Sequence, residues 1–121
     1  MDAYRQRLFE LGVAGYFADP ERVRDLTPFR VTGRVQQSVW ESLGDFDLRD
    51  ALQGVRAPTL IVHGREDPIP VASSEEIARA LPNATLAVLD DSGHVPYVEA
   101  RHALFASVRR FLHDTEILIS S

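Results

Sequence analysis

The sequence has no cysteine and no lysine, and no uninterrupted apolar run in it is longer than four residues. Without cysteine there are no disulfides, no thiolate nucleophile and no cysteine-rich zinc site, which fits a cytosolic protein. Apolar runs this short cannot cross a bilayer, so no membrane partner is expected. Met1-Asp2-Ala3-Tyr4-Arg5-Gln6-Arg7 has no apolar segment behind it, so no secretory signal is expected either. All thirteen basic residues are arginine, and residues 1–56 set eight of them among nine Asp or Glu. That even mixture, with a net charge of −5, offers no stripe for tracking phosphates, and no nucleic-acid partner is expected. The missing lysine reads as genomic base composition rather than function. What is present, 121 residues with 45% hydrophobic and 26% charged, is the make-up of one small globular unit.

Residues 1–54 read as helical and irregular. Tyr4, Leu8, Phe9 and Leu11 give one apolar face that ends near Gly12 or Gly15. Asp19-Pro20-Glu21 restarts a short turn or helix, with Asp19 as N-cap and Pro20 at the first helical position. The spacing of Val31, Val35, Val39, Trp40 and Leu43 predicts a stronger helix from about Phe29 to Leu43, with Gly44 as its left-handed terminator. Asp45-Phe46-Asp47 leads into a short helical turn over Leu48–Leu52, closed by Gly54.

The texture changes at Ala57-Pro58. Thr59-Leu60-Ile61-Val62-His63 is apolar, β-branched and bounded by Pro58 and Gly64, which predicts a buried strand. A loop follows over Gly64–Pro70. Ser73 and Glu76 have the spacing of a capping box opening a helix that Pro82-Asn83 stops. Ala84–Leu89 predicts a second strand and Asp90–His94 a second loop. A helix from about Ala100 to His113 follows, with Leu104, Val108, Phe111 and Leu112 on one face. The tail, Thr115–Ser121, reads as frayed or as a strand.

Strand, helix, strand, helix is a βαβα unit, so the two strands should be parallel. Parallel strands this apolar need cover on both faces and neighbours on both edges, and no third strand is visible upstream of Pro58. The fold class is therefore α/β, as the C-terminal part of a larger sheet that is incomplete as a stand-alone domain. The remaining strands are expected from a longer parent, another chain or a second, swapped copy.

Neighbouring parallel strands deliver their following loops to one rim of the sheet, about 4.8 Å apart. The first loop offers Asp67 and the second His94. A carboxylate there accepts a hydrogen bond from one imidazole nitrogen, fixing the tautomer and stabilising the imidazolium when the other nitrogen takes a proton. Ala57-Pro58-Thr59-Leu60-Ile61-Val62-His63-Gly64-Arg65-Glu66-Asp67-Pro68-Ile69-Pro70 resembles the triad-acid strand and loop of the α/β-hydrolase superfamily. Asp90-Asp91-Ser92-Gly93-His94-Val95-Pro96-Tyr97-Val98-Glu99 resembles its triad-histidine loop. The resemblance covers residues 57–113 closely; Arg101, where many members carry proline, departs from it. It implies Asp67 and His94 as catalytic residues, residues 1–54 as a helical cap, 55–114 as the C-terminal βαβα unit of the core, and 115–121 as a tail. Some details are similar to the proline-iminopeptidase-like branch.

The same resemblance identifies what this sequence lacks. The family's nucleophile sits in a Gly-x-Ser-x-Gly elbow, and none of the seven glycines frames such a serine. The implied activity is hydrolysis of a small ester or N-terminal amide, without cofactor or metal, by a complete enzyme in which this chain supplies acid and base and is inactive alone. A relative with an aspartate nucleophile, acting on halides or epoxides, stays open. So does a non-catalytic remnant that serves as an oligomerisation or binding module.

Each candidate also has a plain structural reading. Asp67 can cap the turn before Pro68, and His94 can be a loop histidine. Glu66 reads as solvated or paired to Arg65, and Asp91 is a rival acid. His63 reads as packed or bonded to backbone, and His102 and His113 as solvent-facing; none has metal-ligand spacing with a carboxylate. Ser92 reads as a loop residue. Tyr16, Phe17, Phe29 and Trp40 are candidates for lining a substrate pocket, against the alternative that they are core. Glu41 is a candidate for meeting a substrate amine, against a solvated helix face.

Overall fold

The computed structural model describes residues 2–30 and 32–120, the last four of these by backbone alone. Asp2 opens the first helix, α1 (Ala3–Val13), its carboxylate accepting the Arg5 amide at 2.8 Å. The buried side of α1 shares only Phe9 with the expected face. Tyr4, Leu8 and Leu11 are exposed, whereas Val13 is buried and Phe9 packs beside it. Positions 9 and 13 lie one turn apart and face Phe17, Val23, Leu26 and Val95, the surface that receives the helix.

Ala14–Tyr16 tightens into a 3-10 turn, and a second runs from Pro20 to Asp25. As the Asp-Pro-Glu order predicts, the Asp19 carboxylate accepts the Glu21 amide at 3.0 Å. The next helix, α2 (Gly33–Leu43), begins later than expected: Thr32 is extended, and the first helical bond runs from the Gln36 amide to the Thr32 carbonyl. Phe29 precedes α2 and meets Phe9 edge to face, with ring centroids 5.1 Å apart; Val31 lies outside the described residues. Gly44, at φ +56°, closes α2 by donating to Trp40, a conformation that costs glycine least. Every residue of α2 is exposed, including the apolar row of Val35, Val39, Trp40 and Leu43, so the helical spacing is real but its face has no cover among the described residues.

Asp47 precedes the single turn α3 (Arg49–Leu52) and accepts from both the backbone and the side chain of Arg49. Those bonds hold the carboxyl at about 2, below its usual 3.8.

The α/β part starts at β1 (Thr59–Gly64), continues through α4 (Val71–Ala80) and returns as β2 (Ala84–Leu89). The two strands are parallel, as expected, in an unbroken register from Thr59 opposite Ala84 to Gly64 opposite Leu89. The ladder extends past both ends, Thr59 donating to Asn83 and Arg65 to Leu89, each at 2.9 Å. In α4 the expected capping box does not form. The helix begins three residues earlier, with Pro70 as N-cap and no side-chain cap, and the Ser73 amide turns back to the Pro70 carbonyl. The hydroxyl of Ser74, meanwhile, is engaged by the ring of His63. The sheet rests against α4 and the last helix, yet residues Thr59–Val62 of β1 are only half-buried.

After a short turn, α5 (Pro96–Glu99), the last helix α6 (Arg101–Ser120) runs well beyond the expected His113. The segment read as a frayed tail or strand is helical through Ser120, because no proline or glycine interrupts it; Ser121 lies outside the described residues. Leu104, Val108 and Phe111 form the half-buried stripe of α6, and Leu112, one position off it, is exposed. No helix among the described residues is long and apolar enough to cross a membrane.

The main buried apolar cluster, Val13, Phe17, Val23, Leu26 and Val95, therefore lies between the N-terminal segment and the loop after β2, not within the sheet. Phe17→Ala should cost about 3–5 kcal/mol in denaturant unfolding, whereas Tyr4→Ala, at a residue 73% exposed, should change stability by no more than about 0.5 kcal/mol. Carboxyl titration by NMR should place Asp47 near 2. Because its folded-state value is depressed, the stability it contributes is present above pH 3.8 and fades as the pH falls toward 2.

Candidate active site

Gly64 ends β1 where its backbone touches the loop after β2. A Cβ there would overlap the carbonyl groups of Ser92 and Gly93, so the approach needs glycine. The Glu66 amide donates to the Ser92 carbonyl at 2.9 Å, and the Asp67 amide folds back to the Gly64 carbonyl at 3.0 Å. This tight turn brings Asp67 across to β2's side of the rim. One carboxylate oxygen, Oδ1, accepts the Ile69 amide at 2.9 Å, the turn contact expected before Pro68. The other, Oδ2, accepts from His94 Nδ1 at 2.9 Å. Asp67 thus has both its structural role and its contact with the imidazole. Its side chain is 8% exposed and that of His94 is 45% exposed, so the carboxylate is sheltered while the ring opens outward. Since a carboxylate only accepts, Nδ1 carries the proton and Nε2 is left with a free lone pair. Nε2 makes no hydrogen bond among the described residues. A ring held this way can take a proton at Nε2 while the carboxylate stabilises the resulting cation.

His63 buttresses the acid loop. Its Nε2–H donates to the Ile69 carbonyl at 2.7 Å, because a carbonyl only accepts, and Nδ1 takes the Ser74 hydroxyl at 2.7 Å. The buried, backbone-bonded histidine expected here is what the fold contains. A chain of contacts results: Ser74 to His63, His63 to Ile69, Ile69 to Asp67, and Asp67 to His94.

The imidazole is held from its other side by the N-terminal segment. The His94 amide donates to the Tyr16 carbonyl at 2.6 Å, and the Tyr16 ring lies 5.2 Å from the His94 ring at 36°. Gly93 permits this approach, since a Cβ there would overlap the Tyr16 carbonyl. Of the four aromatic pocket candidates, Tyr16 meets His94. Phe17 is buried in the apolar core, Phe29 packs on Phe9 and Trp40 stands 61% exposed on α2. A cavity of about 300 Å³ beside the pair is lined by His63, Asp67, Ile69, Ile77 and His94 among others, and none of the four aromatic candidates, Tyr16 included, lines it. Glu41 accepts from Gln37 on the exposed face of α2. Ser92 is wholly buried with its hydroxyl on the Gly93 carbonyl, a loop role. Glu66 is exposed, but Arg65 pairs with Asp90 instead, at 2.6 Å; the ladder bond from Arg65 to Leu89 turns its side chain to that neighbouring loop. His102 and His113 are exposed. One residue that sequence reasoning passed over is Glu99, whose carboxylate accepts from the amides of Gly93, Ala18 and Asp19. Two of those partners lie some eighty positions away, so no local spacing points to them.

A parallel strand pair that presents an aspartate and a histidine at one rim is the arrangement that the resemblance to the α/β-hydrolase superfamily implies. The chain belongs to the alpha/beta hydrolase family, which it matches over residues 2–108. It is 46% identical over 59 residues to the pimeloyl-[acyl-carrier protein] methyl ester esterase of Aromatoleum aromaticum, covering 48% of this chain and 24% of that one. It is 32% identical over 105 residues to 3-oxoadipate enol-lactonase 2 of Acinetobacter baylyi, covering 80% of this chain and 39% of that one. Among solved structures it is similar to an alpha/beta fold family hydrolase from Bacillus anthracis, with a TM-score of 0.68, 27% identity, and coverage of 95% of this chain and 42% of that one. The chain thus spans well under half the length of these relatives. An esterase and a lactonase lend no support to the proline-iminopeptidase-like branch.

Gly93→Ala should separate the His94 loop from Tyr16 and cost about 1–3 kcal/mol or more of unfolding free energy. Loss of the protected His94 amide in hydrogen exchange should accompany it.

Proposed function

We propose that this chain supplies the acid and base of a serine hydrolase that cleaves small esters, with N-terminal amides as the less favoured substrate class. The observation that carries the reading is the 2.9 Å contact between Asp67 Oδ2 and His94 Nδ1, with Nε2 left open. In the complete enzyme His94 Nε2 takes the proton of a serine hydroxyl as that oxygen attacks the carbonyl carbon. The imidazolium, stabilised by Asp67, then passes the proton to the departing alcohol or amine, and the cycle repeats with water. The nucleophile and the donors that hold the tetrahedral oxyanion come from residues outside these 121. Residues 1–54 form the cap side of the site, and no cofactor or metal takes part.

The half-buried β1 and the uncovered apolar row of α2 support a second element of the reading: an N-terminal half, or a second copy of this chain, completes the sheet. If no nucleophile is ever supplied, the same surfaces make the chain a binding or oligomerisation module.

The 121-residue chain alone should show no hydrolysis of short aryl esters and no labelling by an active-site serine probe; either activity overturns the reading. In a longer protein containing this chain and a Gly-x-Ser-x-Gly elbow, Asp67→Asn should lower kcat by about 10³–10⁴-fold with the fold intact. A loss smaller than tenfold would remove Asp67 from the proposed role.

A further inference from the structure

The contact between the N-terminal segment and the His94 loop contains a single carboxylate that receives three amides. Glu99, the last residue of α5, accepts from Gly93 and Ala18 on Oε1 and from Asp19 on Oε2, all at 3.0 Å. It makes no ion pair among the described residues; the nearby Arg22 is committed to Asp25 at 2.7 Å and to the Val98 carbonyl at 2.8 Å. The acceptor capacity of Glu99 therefore goes to backbone, in charge-assisted bonds of the stronger kind. The amides it gathers are not scattered. Gly93 immediately precedes His94, while Ala18 and Asp19 follow Tyr16 and Phe17. The carboxylate thus spans both sides of the bond between the His94 amide and the Tyr16 carbonyl.

We propose that Glu99 is a positioning residue for His94: its carboxylate clamps the His94 loop to Tyr16–Asp19, fixing how the imidazole is presented and holding the Tyr16 ring beside it. Only the kinetic consequence rests on the hydrolase reading; the clamp is testable without it. Glu99→Gln keeps the shape but turns one acceptor into an N–H₂ donor, which faces an amide donor on one side or the other.

The test compares wild type, Glu99→Gln and Arg22→Ala by amide hydrogen exchange and by the ring ¹⁵N signals of the histidines. In Glu99→Gln, exchange at Gly93, Ala18 and Asp19 should rise about tenfold or more, as expected for lost bonds to a charged acceptor. The His94 ring signals should shift while those of His63 stay. Arg22→Ala loosens the same interface through Val98 and should leave the His94 ring unmoved. The proposal is overturned if the three amides exchange as in wild type, or if Arg22→Ala moves the His94 ring as much. Should Glu99→Gln fail to fold, Glu99→Asp, with its charge kept but one methylene too short to span all three amides, carries the same readouts. In a complete, ester-hydrolysing protein, Glu99→Gln should lower kcat about tenfold with KM changed less than about twofold. Amide and ring changes in a complete protein that carries a Gly-x-Ser-x-Gly elbow and still hydrolyses no ester sink the hydrolase reading and leave the clamp. Ester hydrolysis with Glu99→Gln matching wild type throughout sinks the clamp and leaves that reading.

Discussion

The parallel register of β1 and β2 fixes where everything else can stand. With Gly64 opposite Leu89, both strands leave the sheet at the same level and on the same rim. The absence of a side chain at Gly64 then lets the two loops close to backbone contact. Only at that separation can a side chain as short as aspartate reach across to a neighbouring imidazole. A slip of one residue in the pairing would invert the faces of a whole strand and part the two groups. The contact between Asp67 and His94 is in this sense a product of strand pairing, and the side chains that surround it secure what the register has already brought together.

Those securing contacts come from two directions. From the sheet side, Ser74, His63 and Ile69 hold the carboxylate through a relay of short hydrogen bonds. From the other side, Tyr16 and Phe17, part of the N-terminal segment, lie against the His94 loop. The carboxylate is sheltered and the ring half open, a difference that lets one partner stay fixed while the other meets solvent.

The α/β part was largely legible in the sequence because its signals are local. Pro58 and Gly64 bound one β-branched run, Pro82-Asn83 precede the next, and two loops follow strands in the order that places Asp67 and His94 together. Local signals misled where a competing partner was distant. Ser73 and Glu76 have capping-box spacing, but Pro70 sets the helix start and the neighbouring Ser74 answers to His63. The expected face of α1 was right at Phe9 but missed Val13, because the covered side was chosen by Val23, Leu26 and Val95, residues outside the helix. Arg65 chose Asp90 over its neighbour Glu66 for the same reason. Glu99 was invisible as a functional residue since its three amides carry no side-chain signature. In α2 the helical spacing was read correctly, yet periodicity alone does not say whether an apolar row has anything to lie against.

The location of the main apolar cluster has a consequence for how this fold can be divided. Val95 lies one position past His94, and every other member of its cluster comes from the first twenty-six residues. A polypeptide beginning at Ala57 would keep both strands and the loop bearing Asp67, yet it would shed the seat on which the imidazole rests. The natural breakpoints of the molecule thus do not follow the boundary between helical and strand-containing sequence. Any recombination or trimming that keeps His94 seated must inherit the opening helix and its two following turns as well.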